Sequence, residues 1–228
     1  MDKRTEKRTN ERTNERTEKQ SDQRDQTKAR ILHCAIEVFA ESGYAGSSLA
    51  NIAERAGLSK QNLLYYFSSK QALYLCVLDQ ILDQWLEKMD ILADESQEPA
   101  SLLRSYIAAK LRFSREQPEA SRVYAMEVIS GAPVYGQAMQ AKILPQMQKD
   151  IAIFERWISE GKMAALNPAH LLFSIWAMTQ SYADFSIQMG LVLGHTALQE
   201  QDFQAAEELI TDLVLSRLLS QPLRQKRA

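Results

Sequence analysis

The chain is poor in the residues that build turns and cross-links. Its 228 residues include eight glycines, six prolines, three histidines and two cysteines. So few glycines and prolines disfavour sandwiches, barrels and Rossmann-type sheets, which need many tight turns, and favour helices. Cys34 and Cys76 are too few for a disulfide framework, and residues 1–30 lack the apolar segment of a signal peptide. We therefore expect an all-α protein of the reducing cytoplasm.

Motifs for catalysis and metal binding are also missing. His33, His170 and His195 lie far apart and pair with neither cysteine at the spacing of metal ligands. The sequence contains no phosphate-binding glycine loop and no nucleophile elbow. It accordingly predicts no enzyme activity, no metal site and no cofactor.

No apolar run is long enough for a membrane span. Residues 163–199 carry a single charge, Asp184, but Asn167, Pro168 and Gln180 interrupt the run. No apolar block of about 18 residues therefore remains. A nearly uncharged helix in a chain of this size is better explained by burial at a helix-bundle dimer interface. We therefore expect no membrane partner and burial of this segment at a dimer interface.

The net charge of −2 is divided unevenly along the chain. Residues 1–75 hold 13 basic and 10 acidic side chains, and residues 76–228 hold 14 and 19. This asymmetry is compatible with an N-terminal part that faces nucleic acid. The basic excess lies within residues 1–30, since residues 31–75 carry three charges of each sign. DNA binding by residues 31–75 would therefore depend on a few placed contacts rather than on bulk charge.

The N-terminal arm is a low-complexity repeat. Arg-Thr recurs at positions 4, 8, 12 and 16, with no side chain suited to a core. The composition favours a solvated, disordered arm over residues 1–25. If the arm became helical, for instance on a polyanion, its four-residue period would stack arginines along one face. Contacts with DNA phosphates would then be weak and sensitive to salt.

The remaining chain predicts about nine helices. An amphipathic pattern begins at Gln26 and ends at Gly43. The candidate N-caps of the next three helices are Ser47 or Ser48, then Ser59, then Ser68 or Ser69. Further helices are predicted over 99–117, 118–130, 133–160, 167–190 and 201–220.

Residues 47–66 match the requirements of a helix-turn-helix. Gly57 can adopt the positive φ of the turn, and Ala53 is small where two helices would cross. The outward positions of the second helix all carry hydrogen-bonding groups: Ser59, Lys60, Gln61, Asn62 and Tyr65. Glutamine and asparagine suit adenine edges, and lysine suits guanine or phosphate. An αα-hairpin with a polar solvent face is the alternative.

The stretch from Thr27 to Tyr74, including AIEVFAESGYAGSSLANIAERAGLSKQNLLYYFSSKQALY, resembles the TetR family of transcriptional regulators. The resemblance implies a three-helix DNA-binding domain over 26–72, a long fourth helix, an all-helical ligand-binding and dimerisation domain over 73–221, and a tail over 222–228. It implies a homodimer on an operator, formed mainly by the last two helices. It also implies DNA contacts at Ser48, Lys60, Gln61, Asn62, Tyr65, Tyr66 and Lys70. The pair Ser47-Ser48 stands where the family more often has threonine, a change that keeps the hydroxyl group.

The C-terminal part, above all IWAMTQSYADF, is similar to a branch of this family that senses uracil and thymine. That similarity implies ligand contacts from Trp85, Trp176 and Gln180. Aromatic faces can stack on a flat heterocycle, and an amide both donates and accepts. Tyr182 and Asp184 could orient the amide, with Glu127 and Ser130 behind them. Without the resemblance, the tryptophans would be core or interface residues, Gln180 could bond a neighbouring helix, and Tyr182 and Asp184 could equally be interface residues.

Two other interpretations of function remain. A regulator on the same scaffold could respond to a different aromatic or hydrophobic ligand. A helical interaction protein could use the helix-turn-helix as scaffold without binding specific DNA.

Overall fold

The computed structural model describes the backbone of residues 3–94 and 96–219 and the side chains of residues 21–94 and 96–216. Within these ranges the chain forms ten α-helices, one 3₁₀-helix and no strand. The expected all-α class is therefore confirmed. The tail over 222–228 and the first two residues of the arm lie outside the described residues.

The helices follow one another with short connections. Their bounds are α1 Lys3–Gly46, α2 Leu49–Arg55, α3 Lys60–Tyr66, α4 Lys70–Met89, α5 Pro99–Glu116, α6 Pro118–Ile129, α7 Gly136–Ser159, α8 Pro168–Asp184, α9 Ser186–Leu193 and α10 Glu200–Leu219, with the 3₁₀-helix at Asp90–Ala93 between α4 and α5. The chain divides into two compact units, Met1–Val77 and Leu78–Ala228, so the boundary lies inside α4, five residues after the expected one.

The first unit has a small core between α1, α2 and α3. Ile31, Phe39, Ile52 and Leu63 are fully buried there. Gly43 has φ 67° and ψ 174°, so regular helix geometry in α1 is interrupted at the residue predicted to end it. The positive φ explains why glycine stands at this position.

The N-terminal arm differs from its expectation. The backbone of residues 3–25 is the beginning of α1 rather than an irregular segment. Glutamate, lysine, arginine and glutamine have high helix propensity, and neither proline nor glycine occurs before Gly43. A low content of apolar residues argues against a packed core but not against a helix, which explains the wrong expectation.

The second unit is built around α5, which packs against α8 and α10. Its core includes Leu103, Ile107, Phe154, Leu172 and Ile175, all fully buried. Pro99, Pro118 and Pro168 begin α5, α6 and α8, where the missing N–H is not needed. These three helix starts agree with the sequence prediction.

The helix predicted over 167–190 is two helices. Regular geometry ends at Phe185 (φ −112°, ψ 20°), and α9 begins at Ser186. The hydroxyl of Ser186 donates to the carbonyl of Ala183 at 2.9 Å, a local bond that competes with continued helix. No glycine or proline lies at this break, so no residue type in the sequence indicated a tenth helix. None of the described helices is long and apolar enough to cross a membrane.

Candidate functional site

The turn between α2 and α3 has helix-turn-helix geometry. Gly57 has φ 67°, and the amide of Leu58 donates to the carbonyl of Ala53 at 2.8 Å. The hydroxyl of Ser48 accepts a hydrogen bond from the backbone N–H of Asn51 at 3.1 Å. The hydroxyl of Ser59 accepts one from the backbone N–H of Asn62, also at 3.1 Å. Both serines are therefore N-caps that fix where α2 and α3 begin.

The outer face of α3 is polar and open. Lys60, Gln61, Asn62 and Tyr65 are exposed, and the Tyr65 ring, 72% accessible, stands edge-on to Tyr66 at 5.4 Å between centroids. Tyr66 is half-buried. The inner face is closed by the fully buried Leu63. The predicted DNA-facing residues of α3 thus share one accessible surface.

Lys70 is engaged inside the first unit. Its ammonium donates to the carbonyls of Tyr44 at 2.7 Å and Ser47 at 3.0 Å, and it lies 4.5 Å from the centre of the Tyr44 ring. An ammonium has three donors, so two are used before any phosphate arrives. Sequence reasoning assigned Lys70 to phosphate alone, whereas its side chain also fixes the turn between α1 and α2.

An ion pair fastens α2 to α1. Both terminal nitrogens of Arg55 donate to the carboxylate of Glu41, at 2.6 and 2.9 Å, and Glu37 lies 3.7 Å away. The hydrogen bond from Arg55 lowers the pKa of Glu41. Bidentate geometry of this kind sets the orientation of the two helices more than it adds to stability at an exposed site.

The second unit contains a cavity of about 340 Å³. Trp85 of α4 and Trp176 and Gln180 of α8 line it together, as the sequence comparison implied. The remaining walls come from α4 to α8 and are mostly apolar: Leu82, Leu86, Met89, Lys110, Tyr124, Ala125, Val128, Ile129, Met139, Ile143, Asp184 and Phe185. The size and the few polar groups are typical of a small-molecule site.

Three hydrogen-bond donors meet at one wall of this cavity. The Lys110 ammonium lies 4.6 Å from the centre of the Trp85 ring, and the Tyr124 ring lies 4.6 Å from Trp85 between centroids. The Trp85 Nε1 and the Tyr124 hydroxyl are both buried and have no hydrogen-bond partner. Burial lowers the pKa of the Lys110 ammonium to about 8, against a smaller opposing effect of Asp184. Lys110, Trp85 and Tyr124 thus bring polar hydrogens to the lining of a mostly apolar cavity.

Asp184 supplies the acceptor. Its carboxylate accepts from the Ser121 hydroxyl at 2.8 Å and from the amide of Gln180. Burial raises the pKa of Asp184, while these two hydrogen bonds and the charges of Arg122 and Lys110 act in the opposite direction. The spacing of Trp176, Gln180 and Asp184 by four residues puts them on one face of α8.

Tyr182 points away from this cavity. It lies two residues after Gln180, about 200° around the helix, and its ring stands 6.0 Å from that of Phe203 in α10. It lines a second cavity of about 560 Å³ beside α9 and α10 instead, so its role as a ligand contact stays a prediction. Glu127 is also structural, because its carboxylate accepts from the amides of Val134 and Tyr135 at 2.7 and 2.8 Å.

Sequence reasoning missed Lys110 and Tyr124. Lys110 is 6% exposed and stands where the apolar stripe of α5 continues from Tyr106 and Ile107. A lysine at such an inward position was the available signal. Tyr124 offered no such signal, because an aromatic residue on the buried face of α6 is typical of a hydrophobic core. Among the described residues no cluster of three or more potential metal ligands occurs.

Family comparisons match both units. Residues 31–77 match the profile of bacterial regulatory proteins of the tetR family, and residues 78–221 match the C-terminal region of YcdC-like proteins. The chain is 40% identical over 188 residues to the HTH-type transcriptional regulator RutR of Escherichia coli (strain K12), covering 82% of this chain and 88% of that protein. It is 29% identical over 133 residues to the transcriptional activator FasR of Mycolicibacterium smegmatis, covering 58% of this chain and 59% of that protein.

Solved structures share the fold at low identity. The ketosteroid transcriptional regulator KstR2 of Mycobacterium tuberculosis superimposes with a TM-score of 0.69 at 16% identity, covering 85% of this chain and 95% of that one. AibR in complex with isovaleryl coenzyme A and operator DNA superimposes with a TM-score of 0.61 at 15% identity, covering 82% and 97%.

Proposed function

Because the chain belongs to the TetR family of bacterial regulatory proteins, we propose that it is a repressor released from its operator by a pyrimidinedione such as uracil or thymine. It is a ligand-responsive, DNA-binding regulator. The finer assignment depends on one observation: the cavity joins two indole rings, one amide, a buried ammonium and a carboxylate. The repressor would act in the cytoplasm, where its operator is accessible.

The polar groups of the cavity complement a pyrimidinedione. Such a ring presents carbonyl oxygens that alternate with N–H groups. The donors at Lys110, Trp85 and Tyr124 suit a carbonyl oxygen, and the carboxylate of Asp184 suits an N–H. Gln180 can satisfy both kinds of group at once. Leaving the Trp85 and Tyr124 donors unpaired costs about 1–3 kcal/mol each, which a ligand oxygen would recover.

The DNA half of the proposal rests on the face of α3. Ser59 and Ser48 begin α3 and α2, and Lys60, Gln61, Asn62, Tyr65 and Tyr66 would contact an operator from α3. In a dimer, two such helices would enter successive major grooves about 34–36 Å apart. The exposed apolar side chains of α9 and α10 support dimerisation. Ile187, Leu191 and Val192 of α9 are 71%, 75% and 80% exposed in one chain, and Leu209 and Leu213 of α10 are 59% and 55% exposed.

Release of the operator needs a ligand that binds one conformer better than another. Helix α4 contains both Trp85, at the cavity, and Lys70, at the turn between α1 and α2. A ligand held against Trp85 would therefore act on a helix that reaches the DNA-binding unit. A coupling of about 1–3 kcal/mol, or 5- to 150-fold in affinity, is sufficient for a switch.

A second candidate is a repressor for a larger aromatic or hydrophobic ligand. The mostly apolar lining favours this candidate, and one structural neighbour is described as a regulator of ketosteroids. A different class of function, a helical interaction protein, would require that no duplex is bound even at low salt.

Calorimetry separates these candidates. Purified protein is titrated with uracil, thymine, N3-methyluracil and a hydrophobic panel that includes a steroid and a long-chain acyl compound. Binding of uracil and thymine, weakened when methylation removes the N–H, supports the proposal. Binding of the hydrophobic compounds alone overturns the pyrimidine assignment. Gel shifts of upstream DNA with and without the bound compound then test release from the operator.

A further inference from the structure

Few cations are free for DNA phosphates on the helix-turn-helix itself. Arg55 is paired with Glu41, and Lys70 donates to the carbonyls of Tyr44 and Ser47. Lys60 is the lysine that α3 exposes. Phosphate contacts supply much of the affinity of DNA-binding proteins, and one lysine per recognition helix is a small share. Other basic side chains close to α3 are therefore needed.

The N-terminal turns of α1 bring basic side chains to α3. The Arg24 guanidinium lies over the Tyr65 ring, 5.7 Å from its centroid, within the range of a cation–π contact. Arg24 and Lys28 are both exposed and lie one helical turn apart on the same face. Asp22 and Asp25 lie about 160° and 100° around the helix from Arg24. The face that meets Tyr65 is thus basic.

We propose that residues 21–30 of α1 and the exposed face of α3 form one DNA-binding surface, in which Arg24 and Lys28 contact phosphates that flank the bases facing α3. The proposal rests on the DNA binding inferred above. Tyr65 holds the Arg24 guanidinium by its ring face, which leaves the five N–H donors free for phosphate oxygens. Such contacts carry no base preference, so they add affinity and salt dependence without changing specificity.

The repeat of the arm continues this pattern in sequence. The arginines at positions 4, 8, 12 and 16 stand in the same four-residue register as Arg24 and Lys28. The backbone of residues 3–20 is continuous with α1.

The test compares salt dependence in two double variants. A duplex is first enriched from a random pool by the wild-type protein. Its dissociation constant is then measured by fluorescence anisotropy over a series of KCl concentrations. Each phosphate contact contributes about 0.9 to the slope of log K against log [KCl]. For Arg24→Ala/Lys28→Ala we expect a slope shallower by about 2 to 4 per dimer, with unchanged base preference. Hydroxyl-radical footprints should shorten at both outer ends.

The matched control is Arg104→Ala/Lys149→Ala, which removes two exposed cations of the second unit. It should bind as the wild type does. If the Arg24→Ala/Lys28→Ala protein has the slope and footprint of this control, the inference is wrong while the proposed DNA binding stands. If the wild type enriches no duplex and binds no DNA at low salt, both are wrong. Thermal unfolding of each variant confirms that it is folded.

Discussion

The indole Nε1 of Trp176 donates a hydrogen bond of 2.6 Å to the hydroxyl of Tyr106. This bond uses the one polar atom of the Trp176 ring, so Trp176 can offer a ligand only its apolar face. Trp85 also lines the cavity, but its Nε1 is buried without a hydrogen-bond partner. The two tryptophans implied as ligand contacts are therefore not equivalent.

This difference predicts that substitution of the two tryptophans affects different properties. One substitution should weaken ligand binding, and the other should lower stability. Trp85→Phe removes a donor reserved for ligand and should weaken pyrimidine binding by roughly 5- to 50-fold, with little loss of stability. Trp176→Phe leaves the buried Tyr106 hydroxyl without its donor and should lower the free energy of unfolding by about 1–3 kcal/mol. Calorimetry and urea unfolding measure the two quantities. A large stability loss in Trp85→Phe alone would contradict this assignment.

Removing Gln180 should separate ligand response from DNA binding. Gln180→Ala deletes the amide that both donates and accepts in the cavity, and should weaken effector binding by about 10- to 100-fold. Operator affinity without effector should stay unchanged. The control is Gln140→Ala, an exposed glutamine of α7. Operator release that survives Gln180→Ala at wild-type effector concentrations would remove the support for this site.

Lys110 should make effector binding depend on pH. Its ammonium has a pKa lowered to about 8, so the donor is present below that pH and is lost above it. Effector affinity should fall about tenfold per pH unit above 8 in the wild type. In Lys110→Met the affinity should be lower and independent of pH between about 7 and 9. Equal pH profiles for both proteins would exclude a role for the ammonium.

The lowered pKa of Lys110 also predicts how the stability of the protein changes with pH. Because the folded pKa of Lys110 is below the ordinary value of 10.5, its contribution to stability is present above pH 10.5 and is lost as pH falls through about 8. As the pH rises from about 8 to 10.5, effector-free wild type should therefore gain stability relative to Lys110→Met. Urea unfolding of both proteins at several pH values measures this difference in the free energy of unfolding.

Asp150 should destabilise the second unit as it ionises. Its carboxyl is 1% exposed, receives one hydrogen bond from Gln146 at 3.1 Å, and leaves Oδ2 buried without a partner. Burial raises its pKa to about 7 from 3.8. Its stabilising contribution is thus present below pH 3.8 and lost as pH rises through about 7. Relative to wild type, Asp150→Asn should gain on the order of 1–3 kcal/mol across this interval. A constant difference in urea unfolding would show that Asp150 does not titrate there.

Direct base contacts from α3 predict a loss that depends on sequence. Gln61→Ala or Asn62→Ala should cost about 1–3 kcal/mol on the preferred duplex and relax selection at one operator position. Both side chains are exposed, so thermal unfolding should be unchanged. Enrichment from a random duplex pool, followed by binding measurements, checks the result. A uniform loss on every duplex would instead assign these residues to phosphate.

The fold was largely predictable because its signals are local. Several helix boundaries follow from the backbone preferences of single residues. These are the N-caps Ser48 and Ser59, the first-turn prolines Pro99 and Pro118, and the interruption of α1 at Gly43. The break at Phe185 was not predictable, because α8 and α9 join without a glycine or proline. The helical arm was missed because hydrophobic content, not helix propensity, guided that expectation.

The sequence by itself determined the all-α class and the polar face of α3, since these depend on residue type and helical spacing. The candidates Trp85, Trp176 and Gln180 came from its resemblance to a known family. Only the tertiary structure decided which polar groups share the cavity. It brought Lys110 and Tyr124 to Trp85, turned Tyr182 toward Phe203, and occupied the Lys70 ammonium with the carbonyls of Tyr44 and Ser47. The physical reason is that burial and hydrogen bonding of a side chain depend on helices distant in sequence, whose packing no local pattern specifies.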